Sequence, residues 1–226
     1  MTQIQAVLFD LDGTLLDSAL DFHFVLNQML AQQQRPPISL QTVRQQVSNG
    51  ARAMVSTAFN ISEDSAEFET IKANFLNSYL ENINVRSQLY PGIDKVLDFL
   101  DKHKIPWAIV TNKPEVYTQS ILKHFNLDKR CASTICPDHV THSKPDPEAL
   151  FLACEQMSVT AKNCWYVGDH LRDIQAAKAA AMHSVGCQYG YLNLGESAAN
   201  WQPNIVINEP IELITHLEQQ FKHQVV

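Results

Sequence analysis

Short apolar runs alternate with stretches of helical periodicity along most of this chain. The first run covers residues 4–9 and is closed by the turn-like pair Asp12-Gly13. Comparable runs follow at 107–110, 132–136, 164–167, 184–187 and 205–207. Brief runs without polar alternation read as strands buried on both faces, the kind found in parallel sheets. Between them, 93–104, 117–125, 147–157, 173–181 and 211–221 are predicted helices; in the first, Ile93, Val96, Leu97 and Leu100 share one face. Asp146-Pro147 reads as an N-cap followed by proline at the first helical position. Strands alternating with helices predict an α/β fold with a doubly wound parallel sheet, Rossmann-like in its core.

One stretch breaks this rhythm. From 17 to 86 there is no convincing strand. Residues 17–34 carry an apolar helical face (Leu20, Phe24, Met29, Leu30) and are stopped by Pro36-Pro37. Further helices are predicted over 40–47, 51–59 and 65–81, and Tyr90-Pro91-Gly92 turns the chain back into alternation. The expected organisation is an α/β core of residues 1–16 and 87–226 with an inserted helical cap of residues 17–86. Its hinges would lie near 15–18 and 84–89.

Composition narrows the function. The 226 residues are 45% hydrophobic and 18% charged, which predicts a packed core rather than disorder. A net charge of −7 argues against nucleic acid, whose binders present a basic face. The expected partner is small; if it is anionic, an acidic protein needs a local cation to hold it, and a metal ion would serve. The five cysteines form no Cys-x-x-Cys pair and are expected to be reduced thiols of a cytoplasmic protein. No leader is recognised, and no apolar segment is long enough to span a membrane. Nothing in the pattern calls for more than a monomer.

In open α/β sheets, ligands bind beyond the carboxyl ends of the strands. The first run is followed by Asp10-Leu11-Asp12-Gly13-Thr14, the second by Thr111-Asn112-Lys113, and the run at 164–167 by Gly168-Asp169-His170-Leu171-Arg172-Asp173. Lys144-Pro145 stands just upstream of a predicted helix. Phosphoryl transfer needs these parts. A carboxylate can serve as nucleophile, a cation must offset its repulsion from the phosphate, and a second carboxyl can protonate the leaving oxygen and later activate water. Asp10, Asp12, Thr111, Lys144 and Asp169 supply them, and an all-oxygen metal site suits Mg²⁺.

These four motifs, in this order, resemble those of the haloacid dehalogenase superfamily. The resemblance implies Asp10 as nucleophile and metal ligand. It implies Asp12 as acid and base with its backbone carbonyl on Mg²⁺, and Thr111 and Asn112 on the phosphate. Lys144 would pair with phosphate and Asp10, Asp169 would bind Mg²⁺, and Asp173 would bind it directly or through water. The insertion resembles the family's helical cap, which closes over the site and sets specificity. Members that dehalogenate lack the second aspartate, so Asp12 favours phosphate esters.

Within the superfamily the chain resembles the phosphoglycolate-phosphatase-like group. Residues 50–55, 135–140, Tyr189-Gly190-Tyr191 and Asn200-Trp201 narrow the likeness to members acting on N-acetylmuramic acid 6-phosphate in peptidoglycan recycling. That ranks this sugar phosphate first, 2-phosphoglycolate second, and leaves a phosphosugar mutase of the same fold as a further alternative. Arg52, in the cap, is a candidate substrate contact. Lys113 is a candidate cleft residue, and His170 reads as a rim residue.

Overall fold

The structure is a computed structural model and describes residues 4–222. The chain divides into two compact units, one of residues up to Leu16 together with those from Leu89 onward, the other Asp17–Gln88.

The first unit is built on a sheet of six strands: β1 (Ala6–Phe9), β4 (Trp107–Val110), β5 (Ser133–Ile135), β6 (Cys164–Gly168), β7 (His183–Cys187) and β8 (Ile205–Ile207). All neighbours are parallel, in the order β5-β4-β1-β6-β7-β8. Setting aside two short strands at the crossing between units, this is the doubly wound order in which the chain first winds to one side of β1 and then to the other. The carboxyl ends of β1, β4 and β6 are therefore brought side by side: Phe9 is in register with Ile109 and Val167. The strands at the sheet centre are buried on both faces, which is why they read as unbroken apolar runs. One face packs Ala6, Leu8, Ala108, Val110, Ile135 and Tyr166 against helices α7 (Glu148–Met157) and α8 (Leu171–Ala179). Trp107 and Trp165 are buried, as core residues. Helices α5 (Ile93–Lys102), α6 (Glu115–His124) and α9 (Glu212–Lys222) complete the unit.

The helix starts differ from expectation for local reasons. Pro147, not Asp146, is the N-cap of α7, yet the Asp146 carboxylate still accepts from the Glu148 amide at 2.9 Å. Helix α6 starts ahead of the predicted 117 because Asp138, far along the chain, accepts the Glu115 amide at 2.8 Å. Helix α8 is capped by His170, whose ring nitrogen accepts from the Arg172 amide at 3.1 Å.

The second unit holds four helices: α1 (Ala19–Gln32), α2 (Leu40–Val47), α3 (Gly50–Phe59) and α4 (Phe68–Asn82). Its core includes Phe22, Val25, Leu26, Val55, Phe59, Phe75 and Tyr79, with the Phe22 and Tyr79 rings stacked at 4.2 Å. The buried face of α1 keeps Met29 and Leu30 of the predicted one but takes in Phe22, Val25 and Leu26, while Leu20 and Phe24 are only partly covered. Arg86 lies over the Phe24 ring, its guanidinium carbon 4.3 Å from the centroid. Asp21 is fully buried and ties the returning chain to α1. It accepts from the amides of Asn84 (2.7 Å), Arg86 (2.6 Å) and Ser87 (3.2 Å), and from the Ser87 hydroxyl (2.5 Å). The chain passes between units through β2 (Leu16–Asp17) and β3 (Gln88–Leu89), which pair as a two-stranded sheet. Strands of two residues leave no periodicity to detect, and none was expected there.

Candidate active site

Asp10 leaves the end of β1 with its amide bonded to the Val167 carbonyl of β6 at 2.9 Å. That bond continues the ladder past the strand and fixes where the side chain emerges. The Leu11 amide donates to Asp10 Oδ1 at 2.8 Å, and Lys144 Nζ pairs with the same oxygen at 2.9 Å. Lys144 is almost fully buried. Its ammonium also reaches Asp173 Oδ1 (2.8 Å), the Val110 carbonyl (2.9 Å) and the Tyr166 hydroxyl (2.7 Å). Tyr166 in turn donates to the Val110 carbonyl at 2.8 Å. A lysine with this many acceptors is fixed in place as a point of positive charge. Burial opposes that charge, but Asp10 and Asp173 outweigh it and leave the Lys144 pKa raised.

Asp169 follows β6 and is buried. It accepts from the Thr14 hydroxyl at 3.0 Å and the Tyr191 amide at 2.7 Å. Asp173 sits in the first turn of α8 and accepts from the His170 amide at 3.0 Å. Asp10, Asp169 and Asp173 each offer an oxygen within 4.8 Å of the other two. Burial pushes the Asp169 carboxyl well above the usual carboxylate range, and the charges of Asp10 and Asp173 push it further. Asp10 is raised to about 6, chiefly by burial and against the pull of Lys144. Three carboxylates so close together with one lysine are short of positive charge. An all-oxygen donor set of this kind fits a hard divalent cation such as Mg²⁺.

Two glycines make room for Asp169. A Cβ on Gly13, whose φ is +86°, would lie 2.1 Å from Asp169 Oδ2, and one on Gly190 would lie 2.2 Å from Asp169 Cβ. The backbone is in effect laid against the carboxylate.

Asp12 points elsewhere. Lys113 Nζ donates to its two carboxylate oxygens at 3.1 and 3.2 Å. Asp12 is accordingly not among the three clustered side chains. Thr111 is buried at the end of β4; its amide bonds Ile135 O at 3.0 Å and its hydroxyl accepts the Lys113 amide at 3.1 Å. Asn112 donates to the Lys144 carbonyl at 3.0 Å, linking the β4 end to the lysine loop, where the Lys144–Pro145 peptide is cis.

The structure thus brings Asp10, Lys144 and Asp173 into one contact network with Asp169 close by, and Asp12, Thr111 and Asn112 lie on the same strand-end loops. Arg52 lies on α3, paired with Glu63 (2.6 Å) and Glu69 (2.7 Å) and placed over the Phe68 ring. His170 is a helix cap whose pKa is lowered by burial and by neighbouring Arg172. Sequence reasoning missed Tyr166, which lies inside an apolar run and reads there as core. It also missed the Tyr191 amide, a backbone group that no side-chain pattern reveals.

Carboxylates gathered around a fixed lysine at the carboxyl ends of central strands form a site able to hold a cation and an anionic group. The chain belongs to the haloacid dehalogenase-like hydrolases, whose family pattern matches residues 7–187. It is 41% identical over 217 residues to the N-acetylmuramic acid 6-phosphate phosphatase of Pseudomonas aeruginosa, spanning 96% of both chains. It is 41% identical over 209 residues to a phosphoglycolate phosphatase of Xanthomonas campestris, spanning 92% of this chain and 94% of that one. A solved structure of a predicted phosphoglycolate phosphatase from Haemophilus somnus matches with a TM-score of 0.84 at 30% identity, over 95% of this chain and 98% of that one. The protein is a phosphatase of this family. Among the described residues no helix is long and apolar enough to cross a membrane.

Proposed function

We propose that the protein is an Mg²⁺-dependent phosphomonoesterase acting through an aspartyl-phosphate on Asp10, with N-acetylmuramic acid 6-phosphate as its substrate. The observation that carries the chemistry is the 2.9 Å pairing of Asp10 with a buried lysine, beside two more buried carboxylates. Lys144 keeps Asp10 ionised against burial and lowers its repulsion from an incoming phosphate. Thr111 and Asn112 hold phosphate oxygens. The Asp10 carboxylate attacks phosphorus while Asp12 gives its proton to the ester oxygen, so the alcohol departs neutral. Asp12, now a carboxylate, takes a proton from the water that attacks the aspartyl-phosphate, and inorganic phosphate leaves. Asp10, Asp169 and the Asp12 carbonyl, with Asp173 directly or through water, would hold Mg²⁺, which when bound would supply the charge that lets two anions meet.

The unit Asp17–Gln88 acts in this reading as the cap that shuts out bulk water and selects the substrate. Arg52 is its proposed substrate contact, exchanging Glu63 and Glu69 for groups of the ligand. The substrate rests on likeness to the Pseudomonas aeruginosa enzyme. The comparable identity to the Xanthomonas campestris enzyme favours 2-phosphoglycolate as the second reading. We place the enzyme in the cytoplasm as a monomer, a reading its five free thiols support.

Phosphate release measured in parallel on N-acetylmuramic acid 6-phosphate, 2-phosphoglycolate and generic sugar phosphates tests the assignment. The highest kcat/KM should fall on the first. Preference for 2-phosphoglycolate replaces the substrate and keeps the mechanism, whereas an isomerised sugar phosphate in place of free phosphate makes the protein a mutase.

A further inference from the structure

Lys113 follows the end of β4 and contacts Asp12. Its side chain is only 5% exposed, and that of Asp12 is 18% exposed. Burying an ammonium is expensive unless it is paired, and here both oxygens of one carboxylate face it at nearly equal distances of 3.1 and 3.2 Å. The two residues come from different loops, after β1 and after β4, separated by 101 positions. The lysine also springs from a fixed turn. Its amide is held by the Thr111 hydroxyl at 3.1 Å, and its carbonyl accepts from the Thr118 hydroxyl at 3.2 Å. Two-oxygen contact from a rigid base fixes both the position and the plane of the carboxyl.

We propose that Lys113 is a positioning residue for Asp12: it acts through that carboxyl and sets how well the leaving oxygen is protonated. The inference rests on the reading of Asp12 as the acid. As the P–O bond breaks, the Asp12 proton passes to the ester oxygen. The carboxylate left behind stays held against Lys113, aligned for the water step. The competing role for a lysine here is a direct clamp on the phosphate, and the two roles differ in what they notice about the substrate. A clamp touches the phosphoryl group, which every monoester shares. A residue acting through the acid matters only when the leaving oxygen needs a proton. An alkoxide does, whereas p-nitrophenolate leaves without one.

The test compares kcat/KM for an alkyl phosphate, glucose 6-phosphate, with that for p-nitrophenyl phosphate. This constant covers the steps up to departure of the leaving group, so the later water step does not enter. The ratio of the two constants is also independent of how much of a preparation is folded. In Lys113→Met the alkyl:aryl ratio should fall at least about tenfold, within the range that general acid catalysis spans. Lys113→Arg should recover most of it, and Lys113→Gln repeats the measurement should the methionine variant not fold. Asp12→Asn is the control and should shift the ratio further in the same direction. If Asp12→Asn shifts the ratio and the Lys113 variants do not, whether both substrates suffer alike or neither suffers, the inference is overturned. If Asp12→Asn leaves the ratio unchanged, the acid role of Asp12 itself is wrong.

Discussion

Replacing Asp10 by asparagine should stabilise the metal-free protein while abolishing turnover. The Asp10 carboxyl is raised to about 6 from an ordinary value of 3.8, with burial as the main cause. The folded state therefore holds this proton more tightly than the unfolded state does. Stability is fullest below pH 3.8, declines as pH rises through the interval to about 6, and is flat above it. At about 1.4 kcal/mol per pH unit, ionised Asp10 costs the metal-free fold about 3 kcal/mol at pH 8. Asparagine keeps the shape and carries no charge, so Asp10→Asn should gain about that amount at pH 8 and roughly half of it at pH 5. For a chain of this size the pH 8 gain corresponds to about 6–12 °C in Tm. The assay is thermal unfolding of both proteins in EDTA at the two pH values, repeated with excess Mg²⁺. Mg²⁺ should raise the Tm of the unsubstituted protein and close much of the gap, because an ion that binds only the folded state stabilises it. An asparagine variant no more stable at pH 8, or a gap that does not narrow on acidification, would refute the charge-deficit argument.

Other substitutions probe neighbouring groups. Tyr166→Phe removes a hydroxyl that accepts from Lys144 and donates to the Val110 carbonyl; it should cost about 1–3 kcal/mol in urea unfolding. Gly190→Ala drives a methyl group into Asp169, 2.2 Å from its Cβ, and into the Gly13 carbonyl, so Mg²⁺-dependent phosphate release should drop at least about tenfold. Asp21→Ala strands the amides of Asn84, Arg86 and Ser87 and should destabilise by about 3 kcal/mol or more, seen as faster hydrogen exchange at those amides. Chelation of divalent ions should stop turnover and Mg²⁺ should restore it; full activity in EDTA would remove the metal from the mechanism.

The layout of the first unit was legible because its central strands are buried on both faces. The run 107–110 has no polar interruption and begins and ends where its strand does. The strand-end residues Asp10, Thr111 and Asp169 were legible for the same reason, since each is the first polar group after such a run. What escaped depended on partners distant in sequence. The start of α6 is set by Asp138, and the buried side of α1 by Phe75 and Tyr79, which draw in Phe22 in place of Leu20. Tyr166 looks like any other residue of a buried strand until its hydroxyl is seen against Lys144. Arg52 is legible only as a charged residue of the cap, which says nothing of Glu63 and Glu69, its partners in the fold.

Covalent catalysis by Asp10 can be read directly. The enzyme is quenched during turnover of N-acetylmuramic acid 6-phosphate and treated at once with borohydride, which reduces an acyl phosphate to the alcohol and so converts aspartyl-phosphate to homoserine. Peptide mass spectrometry should then find homoserine at position 10 and nowhere else, and none when substrate is omitted. An enzyme that turns over under these conditions yet yields no homoserine, or yields it at Asp12, Asp169 or Asp173, contradicts Asp10 as the nucleophile.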